Sequence, residues 1–179
     1  REAARGERRC GLVGSSAAKR LRADGLGVEV AHMDANAVAR WFLDRWPEDV
    51  RASDALETMA TEFACQGLEL DIVGLCWGGD LVRVGAAWQV RDFRGTDWQV
   101  ARDADRRANR INTYRVLLTR ARYHTVIWVP RGDAGDRTRS PAELDAVAAF
   151  LLACGAAAIG AADNAPPGST DRPAQALLV

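Results

Sequence analysis

At 179 residues, 48% hydrophobic and 27% charged, the chain has the length and composition of one soluble globular domain with a core of its own. Its formal net charge of zero removes any bulk attraction to nucleic acid, and no apolar run long enough for a bilayer and no signal peptide is visible, so a cytoplasmic protein without membrane contact is expected. Cys10, Cys65, Cys76 and Cys154 are scattered without a C-x-x-C pair, which predicts reduced thiols and neither a metal site nor a disulfide framework.

The chain begins at Arg1 without a methionine and reads as a fragment of a longer protein, with residues 1–9 as a polar extension. Cys10–Gly14 predicts a short strand, and Ser15-Ser16 an N-cap for a helix from Ala17 to about Ala23, closed by Asp24-Gly25. The strand-Gly-Ser-Ser order invites a phosphate-loop reading, but G-x-x-x-x-G-K-[ST] occurs nowhere, so an ordinary β-turn-α unit is the plainer account. If Ser15 and Ser16 touch a ligand, it is a nucleic-acid phosphate or a partner domain. His32 is a lone loop histidine. Asn36 is the expected cap of a second helix, with Val38, Trp41, Phe42 and Arg45 on neighbouring turns and Pro47 as its stop.

Leu56–Thr61 predicts the next strand, and the unbroken apolar run Ile72–Trp77 a strand buried on both faces of a parallel sheet. The polar cluster between them, Thr61 with Gln66-Gly67-Leu68-Glu69 and Asp71, then falls at the carboxyl end of the preceding strand, where α/β folds place ligands. Gly78-Gly79-Asp80 is a turn into a hairpin, with strands Leu81–Val90 and Trp98–Val100 around Arg94-Gly95. After a polar segment from Arg102 to Arg110, Ile111, Tyr114, Leu117, Leu118 and Ala121 recur at helical spacing. His124–Val129 is another buried strand, and Pro141 at the first helical position after Ser140 starts a helix extending to about Cys154. The Ala/Gly/Pro-rich stretch from 155 to 179 is expected to be a disordered tail. The order gives an α/β domain over residues 10–154, with a mainly parallel sheet flanked by helices and a β-hairpin insertion at about 78–102.

All but one of the 24 basic residues are arginine, Lys19 being the exception, so arginine number says little and position must carry the argument. Arg120 follows an apolar helical turn and precedes a buried strand, which holds its root while the guanidinium projects. A phosphate-reading arginine needs that: a fixed planar fork that stays charged.

Thr61…Gln66-Gly67-Leu68-Glu69…Asp71-Ile72-Val73 resembles motif V of superfamily 1 helicases, a threonine followed by [KQ]-G-[LR]-E. Val116-Leu117-Leu118-Thr119-Arg120-Ala121-Arg122 resembles their motif VI, apolar residues followed by T-R-A-[RK]. Together they look closest to a Schlafen-related, bacterial DNA/RNA helicase-like ATPase subgroup, densest from Leu56 to Trp128. The resemblance implies a RecA-like, P-loop NTPase-type fold and the C-terminal motor domain of such an enzyme. It implies Arg120 as the catalytic arginine finger toward the γ-phosphate of ATP, Glu69 near the ribose and the Gly67 backbone near the phosphates. Gln66 at the nucleotide and Thr61 at the nucleic acid would couple the two, with Ser15 and Ser16 as further nucleic-acid contacts and Arg115 and Arg122 as neighbours.

Walker A, the D-E-x-x Walker B and the Q-x-x-R motif III are missing, and no motif IV arginine is identifiable. ATP with Mg2+ would therefore be shared with an N-terminal RecA-like domain of the same parent chain, and single-stranded DNA or RNA would be the track. The alternative reading is a degenerate, non-catalytic helicase-like module for protein or nucleic-acid interaction. A hydrolase or thiol enzyme using Cys65 is disfavoured, because G-x-S-x-G is absent and neither histidine is placed as its base.

Overall fold

A computed structural model describes residues 8–26, 34–159 and the backbone of 175–178. Its centre is a parallel sheet of four strands in the order β2-β1-β3-β7, where β1 is Cys10–Gly14, β2 Met59–Thr61, β3 Leu70–Cys76 and β7 Ala121–Trp128. Alternation along these strands sorts their side chains. Val13, Val73, Leu75 and Ile127 share one face by register and join the main core with Trp41, Tyr114 and Leu117. Leu12, Cys76 and Trp128 share the other, where a smaller cluster with Ala18, Leu21 and Met59 packs. Burial on both faces is why Ile72–Trp77 reads as a continuous apolar run.

The helices are α1 (Ala35–Leu43), α2 (Ala104–Leu118) and α3 (Pro141–Ala153). Asp34, rather than Asn36, caps α1: its carboxylate accepts from the Ala37 amide at 2.8 Å, and Asn36 lies inside the first turn. α2 starts earlier than its apolar spacing suggests. Asp103 caps it through the Arg106 amide at 2.7 Å, and the polar segment before Ile111 becomes its solvated first half. The expected helix after Ser15-Ser16 is instead a short 3-10 turn, Lys19–Asp24, without a side-chain cap, ended by Gly25 in the left-handed region.

The insertion is a three-stranded antiparallel sheet, β4 (Leu81–Val84), β5 (Ala87–Arg94) and β6 (Asp97–Val100). Gly85, at φ 57°, makes the tight turn that divides the single strand expected over Leu81–Val90. Trp77 anchors this sheet to the core. Its ring lies 4.3 Å from that of Tyr114 and 5.7 Å from that of Trp88, and its indole N–H donates to the Leu81 carbonyl at 2.8 Å. Arg91 adds a second tie, donating from Nε to the Gly79 carbonyl at 3.0 Å and pairing with Glu143 of α3 at 2.8 Å.

Where the sequence leads one to expect a disordered tail, β8 (Ala157–Ala158) and β9 (Gln175–Leu178) continue the sheet in parallel, β9 against β7. Residues 1–7, 27–33, which include His32, 160–174 and Val179 lie outside the described residues. Among the described residues no helix is long and apolar enough to cross a membrane.

Candidate functional site

The polar cluster of the sequence divides between opposite edges of the sheet. Thr61 and Glu62 stay at the carboxyl end of β2, but the seven residues that follow return the chain to the amino end of β3. Gln66-Gly67-Leu68-Glu69 therefore lies at the amino edge, not at the carboxyl end expected for the whole cluster. The return is made by turns, with the Cys65 amide donating to the Thr61 carbonyl at 3.0 Å and the Leu68 amide to that of Cys65 at 3.1 Å. Gly67 has φ 77°, a conformation side-chain-bearing residues adopt at a cost, and it is exposed. Asp71, one residue into β3, accepts from the Arg9 amide at 2.7 Å and so fixes the start of the sheet.

Arg120 meets this segment. It sits between α2 and β7, and its carbonyl accepts from the Leu70 amide at 3.0 Å, joining the two amino-edge loops through their backbones. Its Nε donates to the Val116 carbonyl at 3.1 Å, which orients the guanidinium plane, and the residue remains partly exposed. Arg122 pairs with Glu69 at 3.2 Å, with both side chains more than half exposed; such a pair adds little stability. Cys65 lies beneath. Burial pushes its thiol up to about 11, with the Arg120 charge acting in the opposite direction. A thiol held protonated near neutral pH is a poor nucleophile, and His124 is an exposed side chain on β7, so the thiol-enzyme reading gains no support.

The carboxyl edge carries the other residues singled out from the sequence. Ser16 donates to the Glu62 carboxylate twice, from its amide to Oε2 at 2.8 Å and from its hydroxyl to Oε1 at 2.7 Å. Thr61 is fully buried, and its hydroxyl oxygen has no hydrogen-bond partner among the described residues. Ser15 is also fully buried. Its hydroxyl donates to Asp80 Oδ2 at 2.7 Å and accepts from the Ala17 amide at 3.2 Å, so its role here is to hold the fold rather than to face a ligand.

Asp80 is the residue that sequence reasoning missed. It is wholly buried between β3 and β4 and accepts from Ser15 and, at 2.7 Å, from the Tyr114 hydroxyl, with Arg110 3.4 Å away. The Tyr114 oxygen in turn accepts from the Gly78 amide at 3.0 Å, and Arg110 donates to Ser15 at 2.9 Å. Burial raises the Asp80 carboxyl above its ordinary value, opposed first by Arg110, and raises the Tyr114 phenol well above its own, which keeps Tyr114 a donor. A Gly-Gly-Asp turn gives no sequence signal for this; its partners lie 34 and 65 residues away in the chain.

α2 spans from one edge to the other, about 22 Å at the usual rise per residue. Its first half offers Arg106 and Arg110 to the carboxyl edge, its middle packs Tyr114 on Asp80 and Trp77, and its end leads into Arg120. α2 thus links the two edges as one element, with Arg106 and Arg110 paired to Asp92 and Asp80 at the carboxyl edge and Arg120 at the amino edge. Among the described residues no group of three or more His, Cys, Asp or Glu side chains could hold a metal ion.

A family model described as Schlafen group 3, DNA/RNA helicase domain, matches residues 1–131. It thus spans the strands β1 to β7 and both edge sites, and stops before α3. No match is found among the curated proteins or among the solved structures.

Proposed function

Because the chain belongs to the Schlafen group 3 DNA/RNA helicase domain family, we propose that it is the second, RecA-like motor half of an ATP-dependent superfamily 1 helicase or translocase. The observation that carries this reading is the meeting of Gln66-Gly67-Leu68-Glu69 with Arg120 at the amino edge, joined by the Leu70–Arg120 backbone bond of 3.0 Å. Segments far apart in the chain, each resembling a helicase motif, form one surface.

In this reading the amino edge faces ATP held by a first motor half of the same parent chain. Bound there, ATP supplies a phosphoryl group whose transfer builds charge on the γ-phosphate oxygens. Arg120 holds a charged, oriented donor fork toward that position, which favours the transition state over the ground state. Gly67 offers exposed backbone without a side chain in the way, and Gln66 and Glu69 flank it. The residues present fit half of such a site: a guanidinium and an exposed glycine backbone, with no cluster of three or more His, Cys, Asp or Glu side chains among the described residues to hold Mg2+, whose ligands are assigned to the other half. The carboxyl edge, with Ser16, Phe63 and the arginines of α2 above the buried Thr61, faces single-stranded DNA or RNA.

The split site makes an expectation about the chain alone. With no P-loop lysine and no magnesium-binding carboxylates, it neither binds ATP tightly nor hydrolyses it. Phosphate release from the pure chain, measured with and without single-stranded DNA, should equal a buffer blank. Sustained release above that blank would rule out the shared-site arrangement.

A further inference from the structure

The two donors of Ser16 are both occupied, and by one group. The amide and the hydroxyl converge on the two oxygens of the Glu62 carboxylate, at 2.8 and 2.7 Å, a pairing that a phosphodiester's two anionic oxygens would satisfy equally well. The bond closes one wall of an open groove of about 390 Å3, lined by Ser16, Glu62, Phe63, Arg106, Asn109 and Arg110. Its acidic residues besides Glu62 are Asp103, whose carboxylate is already committed to capping α2, and Asp105. A second groove of about 280 Å3 shares Ser16 and Arg106 and adds Lys19 and Arg94 beside Asp92. Phe63, two residues after the buried Thr61, is 67% exposed and presents its ring to solvent. An exposed ring beside a phosphate-sized donor pair matches how single strands are held, backbone on donors and base on an aromatic face, while the groove arginines Arg94, Arg106 and Arg110 are paired with Asp92 and, for Arg110, with Asp80.

We propose that the Glu62 carboxylate is an internal stand-in for a nucleic-acid phosphate, occupying the Ser16 donors until a single strand displaces it and stacks a base on Phe63. This deepens the nucleic-acid side of the function above and rests on it.

The test is anisotropy of a short fluorescent oligothymidylate with the 179-residue chain at low salt. Freeing a charge-assisted donor pair should tighten binding of Glu62→Ala by roughly tenfold, given the usual strength of such bonds. Asp105→Ala removes an equal charge from the same groove without freeing Ser16, and should tighten binding by less than about threefold. Adding Ser16→Ala to Glu62→Ala removes the hydroxyl donor and should reverse most of the gain, while Glu62→Gln should fall between wild type and Glu62→Ala. Circular dichroism on each variant confirms that it is folded. Equal effects of Glu62→Ala and Asp105→Ala, or a gain that survives loss of the Ser16 hydroxyl, would overturn the stand-in role while leaving nucleic-acid binding intact. Absence of binding by wild type and every variant would overturn both the stand-in and the nucleic-acid reading beneath it.

Discussion

Arg120→Ala, in a protein that carries both motor halves, is expected to lower ATP turnover by about 10³- to 10⁵-fold while changing nucleotide affinity comparatively little. The size follows from where the charge acts. A guanidinium that meets the γ-phosphate from across a domain cleft interacts most strongly when charge has built up on its oxygens, so its loss appears in kcat. Arg120→Lys should recover only part, because an ammonium on a flexible stem cannot reproduce a planar fork held by the Val116 carbonyl. The competing account treats Arg120 as a solvated residue at a helix end. It expects turnover near wild type and a stability change within about 0.5 kcal/mol. Among the described residues the Arg120 side chain donates to the Val116 carbonyl at 3.1 Å, an exposed bond, so the folded state should survive its removal under either account. ATPase and thermal unfolding on the same purified variant separate the two.

Asp80→Ala should damage the fold severely, costing about 3 kcal/mol or more. It would leave the buried Ser15 and Tyr114 hydroxyls without their acceptor and Arg110 without its nearest buried carboxylate. Asp80→Asn keeps one acceptor oxygen and should cost clearly less. Urea unfolding followed by tryptophan fluorescence reports this well, since Trp77 lies against Tyr114. Wild type and Asp80→Asn together also predict a pH dependence. Asp80 has a carboxyl raised by burial, so in the window above the ordinary value of 3.8 the folded chain binds more protons at this position than the unfolded chain. Its contribution to stability then grows as pH falls and fades as pH rises through the folded value. The amide introduced by Asp80→Asn cannot titrate, so the stability gap between wild type and this variant should widen on acidification toward pH 4. A gap that narrows over that range would mean that Asp80 is held ionised by Arg110 and Ser15 more firmly than burial disfavours it.

The parallel sheet was legible because its strands obey a simple rule: runs buried on both faces are apolar throughout, as in Ile72–Trp77. The place of Arg120 in the fold was legible for a local reason, since it lies between an apolar helix turn and a buried strand. Four features were not. Asp34 and Asn36 are both good caps two residues apart, and only the geometry of the entering chain decides between them. The first half of α2 is polar because it is solvated, so apolar spacing cannot detect it before Ile111. The division of Thr61 from Gln66-Gly67 is a matter of topology. The eight residues between β2 and β3 look like one site in sequence, yet they carry the chain from one sheet edge to the other. Asp80 was missed for a related reason, since a buried polar network is written in residues far apart along the chain.

The central claim is that the two edges serve two ligands, with nucleic acid on the carboxyl edge and nucleotide on the amino edge. Photo-cross-linking tests it most directly: a single strand carrying 5-iodouracil is irradiated with the chain, and adducts are located residue by residue by mass spectrometry. The account predicts adducts on Phe63 and on the stretch around Arg106 and Arg110, with Gln66–Glu69 and Arg120–Arg122 unmodified. Adducts concentrated on Gln66–Glu69 and Arg120–Arg122 would place nucleic acid on the edge assigned to ATP and would contradict it.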